Sequence, residues 1–239
     1  FEAAVAAAVA AETGAQGNAA LVALRVVYDD LAPVPDIEAA LADGAAELFE
    51  QAPVGIVPPY GAGASGALRP ARNVCYEYRY RTGDASAFDG CDHVFEDEFR
   101  FSRMHHLHLE PFVSVANWAE DGSIEVISSN QNPFPLRKEL SRIFRVPENR
   151  ISVKVPYVGG GFGSKNNCKT EPVAILLSRM AGRPVRFALT MEEGFLTNTQ
   201  HAAILRLKTG VRADGTLVAR QSEVLLDAGA YSDASPLVA

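Results

Sequence analysis

The sequence predicts an α+β fold in two unequal units, on three observations. The first 50 residues are alanine-rich with helical spacing around one β-branched run. Residues 51–90 are dense in proline and glycine. From about residue 91, alternating apolar segments pair across Asp-Gly turns and are interrupted by two amphipathic helices. The chain therefore divides into an N-terminal α/β unit at 1–50, an irregular connection at 51–90 and a larger mixed unit at 91–239.

Each element has a local reason. AAVAAAVAAE, at the start, reads as a helix by propensity, though its length also allows a buried strand. AQGNAALVAL reads as a helix, RVVYDDL (25–31) as a strand and PDIEAALADGAAELF as a short helix. PVGIVPPYGAGASGALRP has the punctuation of a loop. FEDEFRFSRMHHLHLEPFVSVANWAEDGSIEVISSN alternates, with Glu120-Asp121-Gly122 joining two strands as a hairpin. NPFPLRKELSRIFRV carries prolines at its entry and apolar residues at helical spacing. ISVKVPYV reads as a strand, and EPVAILLSRMAGRP as a helix ended by Gly182 and Pro184. A last hairpin turns at Ala213-Asp214-Gly215. No repeat of fixed period is present.

Composition narrows the class. With 48% hydrophobic and 21% charged residues, the 239-residue chain has the makeup of a globular protein. A net charge of −7 without a lysine-arginine block argues against a nucleic-acid or anionic-membrane surface. No apolar run approaches the roughly 20 residues that span a bilayer. Cys75, Cys91 and Cys168 are unclustered, which fits a reducing compartment, and no basic leader precedes the first apolar run, so a cytoplasmic location is expected. The chain opens at Phe1 inside an apolar pattern and reads as a fragment of a longer one.

The densest chemistry lies in VGGGFGSK, residues 158–165, between a strand and a helix. Such a context lets backbone N–H groups hold an anion. The spacing fails the phosphate-loop pattern, since Lys165 follows Ser164 and precedes Asn166. It also fails G-x-G-x-x-G, whose third glycine would fall at Ser164. What remains is main chain able to approach a partner closely, with Phe162 as the one bulky side chain, or a tight structural turn. His105, His106 and His108 have the look of a metal cluster. On a strand, however, His106 and His108 would share a face and His105 would point away. Glu192 and Glu193 read as a solvated pair, and Ser128, Ser129 and His201 lack a nucleophile elbow. Gln131 stands in SSNQNPFP as a polar donor at a loop.

Together these stretches resemble the molybdenum-binding subunit of the xanthine dehydrogenase/aldehyde oxidase family. HHLHLEPF is similar to that family's His-containing strand with its Leu-Glu-Pro ending. SSNQNPFPLRKELSRIFRVPENRISVKVPYVGGGFGSK is similar to its S-x-x-Q-x-P, helix and G-G-G-F-G-x-K order, and AGRPVRFALTMEEGFLTNTQH and the last hairpin continue the match. The N-terminal stretch resembles the end of a small α/β, hammerhead-like domain, followed by the first part of the mixed α+β molybdenum-binding domain.

The resemblance implies a molybdenum-molybdopterin cofactor, in its plain or cytosine-dinucleotide form. Gln131, Gly161, Phe162 and Gly163 would line it, with Gln131 and Phe162 nearest the molybdenum. Asn166 falls where purine-hydroxylating members carry a substrate-contacting glutamate. Its neutrality argues against xanthine and leaves an aldehyde or an N-heteroaromatic ring, oxidised with water-derived oxygen. The general-base glutamate and the arginine-bearing cofactor loop would lie beyond residue 239, so no catalytic residue is assigned. Iron–sulfur clusters and FAD would sit on partner subunits or missing segments of a hetero-oligomer. Two rivals share the fold: a catalytically incomplete scaffold fragment, and a carbon monoxide dehydrogenase-like member. A nucleotide-phosphate binder built on Lys165 is disfavoured by the failed spacing.

Overall fold

A computed structural model describes residues 7–47, 65–67, 73–75 and 77–230. In chain order they form α1 (Gly14–Ala23), α2 (Ile37–Leu41), β1 (Ser65–Ala67), β2 (Glu77–Arg79), a 3-10 turn (Ala85–Gly90) and β3 (His93–Phe101). Then follow β4 (Val113–Trp118), β5 (Ile124–Ser128), α3 (Pro133–Phe144), a second 3-10 turn (Glu148–Arg150) and β6 (Ile151–Lys154). The remainder is α4 (Glu171–Ala181), β7 (Val185–Ala188), α5 (Met191–Thr197), β8 (Ala203–Val211) and β9 (Leu217–Leu226). The mixed α+β class is thus observed.

Caps set the helix ends. Thr13 and Gln16 form a capping box at α1, as Thr190 and Glu193 do at α5, and the Asp36 side chain accepts from Ala39 N–H at α2. Prolines occupy the first turns of α3 and α4, where no N–H is needed. Left-handed Arg145 ends α3, and left-handed Gly182 ends α4.

Contacts gather the chain into two units, one of 1–29 with 105–200 and the other of 30–104 with 201–239. The first holds a four-stranded sheet in the order β6-β5-β4-β7. β4 pairs antiparallel with both β5 and β7, while β6 runs parallel to β5. On one face of this sheet, Ala116, Ile124 and Val126 meet Leu136 and Leu140 of α3 and Ala174 and Ile175 of α4, all buried. Leu136 and Leu140 are four apart and so share one helix face, which is why a polar helix can seal a core. Trp118 edges onto Phe144 and lies under the Arg179 guanidinium.

The second unit holds the antiparallel sheet β3-β8-β9 and the short β1-β2 pair, which comes from the proline- and glycine-rich stretch. The β8-β9 turn closes through Gly215, with Arg212 N–H donating to Thr216 O and Thr216 N–H to Asp214 Oδ1. Along its polar face Arg206 bridges Glu98 and Glu223. Such exposed pairs contribute little each.

Four expectations change. Residues 25–31 form no strand, because nothing among the described residues pairs with them, and Val27 and Leu31 stand exposed. The alternating run from 95 onward is not one hairpin arm. β3 ends at Phe101 and pairs with β8, and the chain restarts in the other sheet at β4. The histidines lie between these strands rather than on one, since Leu107 adopts a left-handed conformation (φ 54°) that breaks the extended run. β6 stops at Lys154, before Pro156, instead of running to Val158. The opening alanine run lies partly outside the described residues; its residues 7–11 take no regular structure.

Candidate functional site

The glycine loop leaves β6, on one edge of the four-stranded sheet, and leads into α4, which returns the chain to β7 on the opposite edge. Two other segments of the same unit meet it. One is 128–131, at the end of β5; the other is 108–110, just before β4.

Each of three consecutive glycines lies against a different side chain. A Cβ on Gly159 would stand 2.6 Å from Glu110 Cβ, one on Gly160 3.1 Å from His108 Cβ, and one on Gly161 closer still to Gln131 Oε1. The first and third distances leave no room for a methyl group. Gly160, Phe162 and Gly163 have positive φ, and Phe162 at the apex is 71% exposed.

Gln131 grips the loop. Its Oε1 accepts from the N–H groups of Gly163 (3.1 Å) and Lys165 (3.3 Å), and its own N–H donates to Lys165 O (2.9 Å). The two side-chain bonds use the carbonyl end and the third uses the backbone N–H, so the NH2 end takes no part in them. Gln131, Gly161, Phe162 and Gly163 are therefore brought together in one patch. Asn166 is exposed at the end of the same turn, its N–H donating to Gly163 O.

Glu110 anchors the loop from the other side. Its Oε2 accepts from Lys165 Nζ (2.7 Å) and Gly159 N–H (2.8 Å), and its backbone N–H donates to Gly159 O (3.1 Å). Lys165 is 1% exposed. Burial pushes the Glu110 carboxyl up, but the hydrogen bonds from Lys165 and Gly159 and the lysine charge outweigh it, so the group is held below the usual carboxylate range.

A buried carboxylate supports the Gln131 segment. Glu171, at the first turn of α4, accepts from Ser128 Oγ (2.6 Å), Lys169 N–H (2.9 Å) and Asn130 Nδ2 (3.5 Å). Asn130 also donates to Asn167 O and accepts from Asn132 N–H, which ties the residue before Gln131 to the residue after Asn166. Ser128 and Ser129 are thus buried scaffold residues. Glu192 and Glu193 are exposed, the latter serving as a cap.

The histidines are ordered by tautomer. His108 Nδ1 lies 2.6 Å from Glu110 O, a carbonyl that can only accept, so Nδ1 carries the proton. His105 Nδ1 instead accepts from Leu107 N–H (3.0 Å), leaving the hydrogen on Nε2. A metal shared by the two Nε2 atoms would need a lone pair on both, and His105 presents an N–H. Among the described residues no group of three or more His, Cys, Asp or Glu is placed to hold a metal ion. Burial, then the charges of neighbouring histidines, hold His105 and His106 below the ordinary imidazole range. Burial likewise pushes the Cys168 thiol up, with the Glu171 charge adding to it.

Sequence reasoning placed Lys165 and the Leu-Glu-Pro motif separately and missed their pairing. The usable signal was a lysine inside an otherwise apolar, glycine-rich turn, which requires a counter-charge from elsewhere in the chain.

The sequence model of the molybdopterin cofactor-binding domain matches residues 68–239. The chain is 33% identical over 188 residues to the xanthine dehydrogenase molybdenum-binding subunit of Escherichia coli O157:H7, covering 77% of this chain and 25% of that protein. It is 29% identical over 232 residues to the nicotinate dehydrogenase large molybdopterin subunit of Eubacterium barkeri, covering 96% of this chain and 50% of that one. Its fold superposes on quinoline 2-oxidoreductase from Pseudomonas putida 86 with a TM-score of 0.75 and 26% identity, over 92% of this chain and 26% of that one. The chain thus spans half or less of the length of these relatives. With the family match extending over most of its length and over the whole glycine loop, the chain belongs to the molybdopterin cofactor-binding domain family.

Proposed function

We propose that this chain supplies part of the cofactor wall of a molybdenum hydroxylase that oxidises an aldehyde or an N-heteroaromatic ring with water-derived oxygen. The observation that carries the reading is the seating of Gln131 against Gly161, within a glycine triplet whose first and third members leave no room for a methyl group. Among the described residues, the N–H groups of Gly160, Gly161 and Phe162 have no protein acceptor, and the Gln131 NH2 end is not used in gripping the loop. Neutral donors of this kind suit an oxo-bearing group whose metal is carried by a pterin, and they need no protein ligand on the metal.

In this reading Gln131, Gly161, Phe162 and Gly163 hold the molybdenum-pterin group, with Gln131 and Phe162 nearest the metal. That group, when bound, supplies the two-electron oxidation. Gln131 would orient it by an uncharged hydrogen bond, Gly161 would seat the Gln131 side chain by having no Cβ, and exposed Phe162 would shield the group from water. Asn166 faces the substrate with a neutral amide, where a carboxylate would favour a purine. Nicotinate and quinoline, in the names of two relatives, are N-heteroaromatic, which supports that arm of the substrate class.

The rest of the proposal concerns the assembly. It includes a hammerhead-like N-terminal unit, the division at 1–50, 51–90 and 91–239, a plain or cytosine-dinucleotide pterin, and iron–sulfur and FAD subunits in a cytoplasmic hetero-oligomer. No helix among the described residues is long and apolar enough to cross a membrane.

The test is the native full-length protein, purified from cells that load other molybdenum enzymes. Metal analysis should find stoichiometric molybdenum with a pterin, and a panel of aldehydes, N-heteroaromatics and xanthine should give turnover on the first two. Protein free of molybdenum would overturn the reading.

A further inference from the structure

One carboxylate oxygen closes the glycine loop. Gly159 N–H and Lys165 Nζ both bond Glu110 Oε2, at 2.8 and 2.7 Å, so the loop's first glycine and its terminal lysine share a single acceptor. The five residues between them then have fixed ends. Their path is further confined by His108 under Gly160 and Gln131 over Gly161. Phe162 at the apex is left in a left-handed conformation (φ 52°) and pointing out. The lysine's main chain is meanwhile bonded in both directions to Gln131. A buried ammonium without its counter-ion would be strongly unfavourable, so this pairing is held firmly.

From this geometry we propose that Glu110 and Lys165 are positioning residues that set the placement of Gln131, Phe162 and Gly163 toward the cofactor, without touching it. The inference rests on the reading of the loop as a cofactor wall. Lys165, at 1% exposure, is enclosed beneath the loop, and Glu110 is engaged with both loop ends. Their effect on the cofactor passes through the loop's shape.

The experiment compares the full-length native protein with Glu110→Gln, Lys165→Met and the double variant. Three quantities are read: molybdenum content, hydrogen exchange of peptides covering 158–166 and 113–128, and thermal midpoint. Each single variant should lower molybdenum content by roughly tenfold, as outer partners of a bound centre commonly do. Exchange should rise in 158–166 and stay at the wild-type level in 113–128.

The double variant is the discriminating arm. Removing both charges leaves no uncompensated ion, so the thermal midpoint should return toward wild type. The bridge between the loop ends stays broken, so molybdenum content and loop protection should stay low. Recovery of both in the double variant would reduce the pair to charge balance and overturn the proposal. So would wild-type molybdenum content and loop protection in either single variant. If a single variant does not fold, the double variant decides alone. Wild-type protein without molybdenum would defeat the cofactor reading, and the exchange of 158–166 would then decide by itself whether the pair sets the loop.

Discussion

The hairpin turns and the site loop both use glycine, for opposite reasons. Gly215 and Gly122 take positive φ (87° and 81°) in open surroundings, with nothing within 4 Å of a Cβ at Gly215 and only a distant arginine nitrogen at Gly122. There glycine is needed for its backbone conformation. Gly159 and Gly161 do not adopt a left-handed φ, yet a methyl group on either would overlap Glu110 or Gln131. There glycine is needed for its lack of volume. The two uses should respond differently to the same substitution.

The largest loss of stability is expected from Gly159→Ala. Its Cβ would strike the stem of Glu110 at 2.6 Å, an atom that cannot swing away without moving the backbone. Overpacking of this kind costs about 3 kcal/mol, measurable by urea unfolding. Gly161→Ala should cost less, about 2 kcal/mol, because the obstructing atom is the tip of the exposed Gln131 side chain, and rotating it out loses two hydrogen bonds. Its signature is functional: molybdenum content should fall while the unfolding slope is unchanged. Gly215→Ala should cost about 1 kcal/mol, the steric expense of a left-handed residue with a Cβ, and leave molybdenum content intact. Equal molybdenum loss in all three would erase the distinction between the two uses.

The smallest expected effect is a pH dependence. The Glu110 carboxyl is held below its ordinary value of 4.5, so the folded chain binds its proton less readily than the unfolded chain. The stability this contributes is fully present above pH 4.5 and is lost as pH falls through the lower folded value. Glu110→Gln should flatten that part of the acid-unfolding curve. An identical acid limb in both proteins would show that the carboxylate contributes nothing there.

The same contrast explains what was legible. Asp-Gly at 121–122 and 214–215 states its turn in two letters, and both hairpins are found there. α3 was readable from its proline entry and apolar spacing, and α4 from its ending at Gly182 and Pro184, which are local properties. Gln131 and the loop were linked through a family resemblance, and their contact was not visible from residue types. No local pattern says that Gly159 faces Glu110 or that Gly161 faces Gln131, since volume restrictions depend on what arrives from elsewhere. The strand break at Leu107 was hidden for a related reason. Leucine has no preference for left-handed φ, and the bonds around it, from Leu107 N–H to His105 and from His108 to Glu110 O, involve side chains that a propensity reading does not weigh.

The path of the chain between β6 and β7 carries a consequence for folding order. The loop's anchoring bonds span 32 and 34 residues to Gln131, and 49 and 55 residues to Glu110. The β4-β5 hairpin that lies between those partners closes over a turn of a few residues. Loop-closure entropy grows with chain separation, so the hairpin can form early while the glycine loop waits for three distant segments to converge. The loop is therefore a late structure in folding, and its acquisition of fixed shape reports that the four-stranded unit has already assembled.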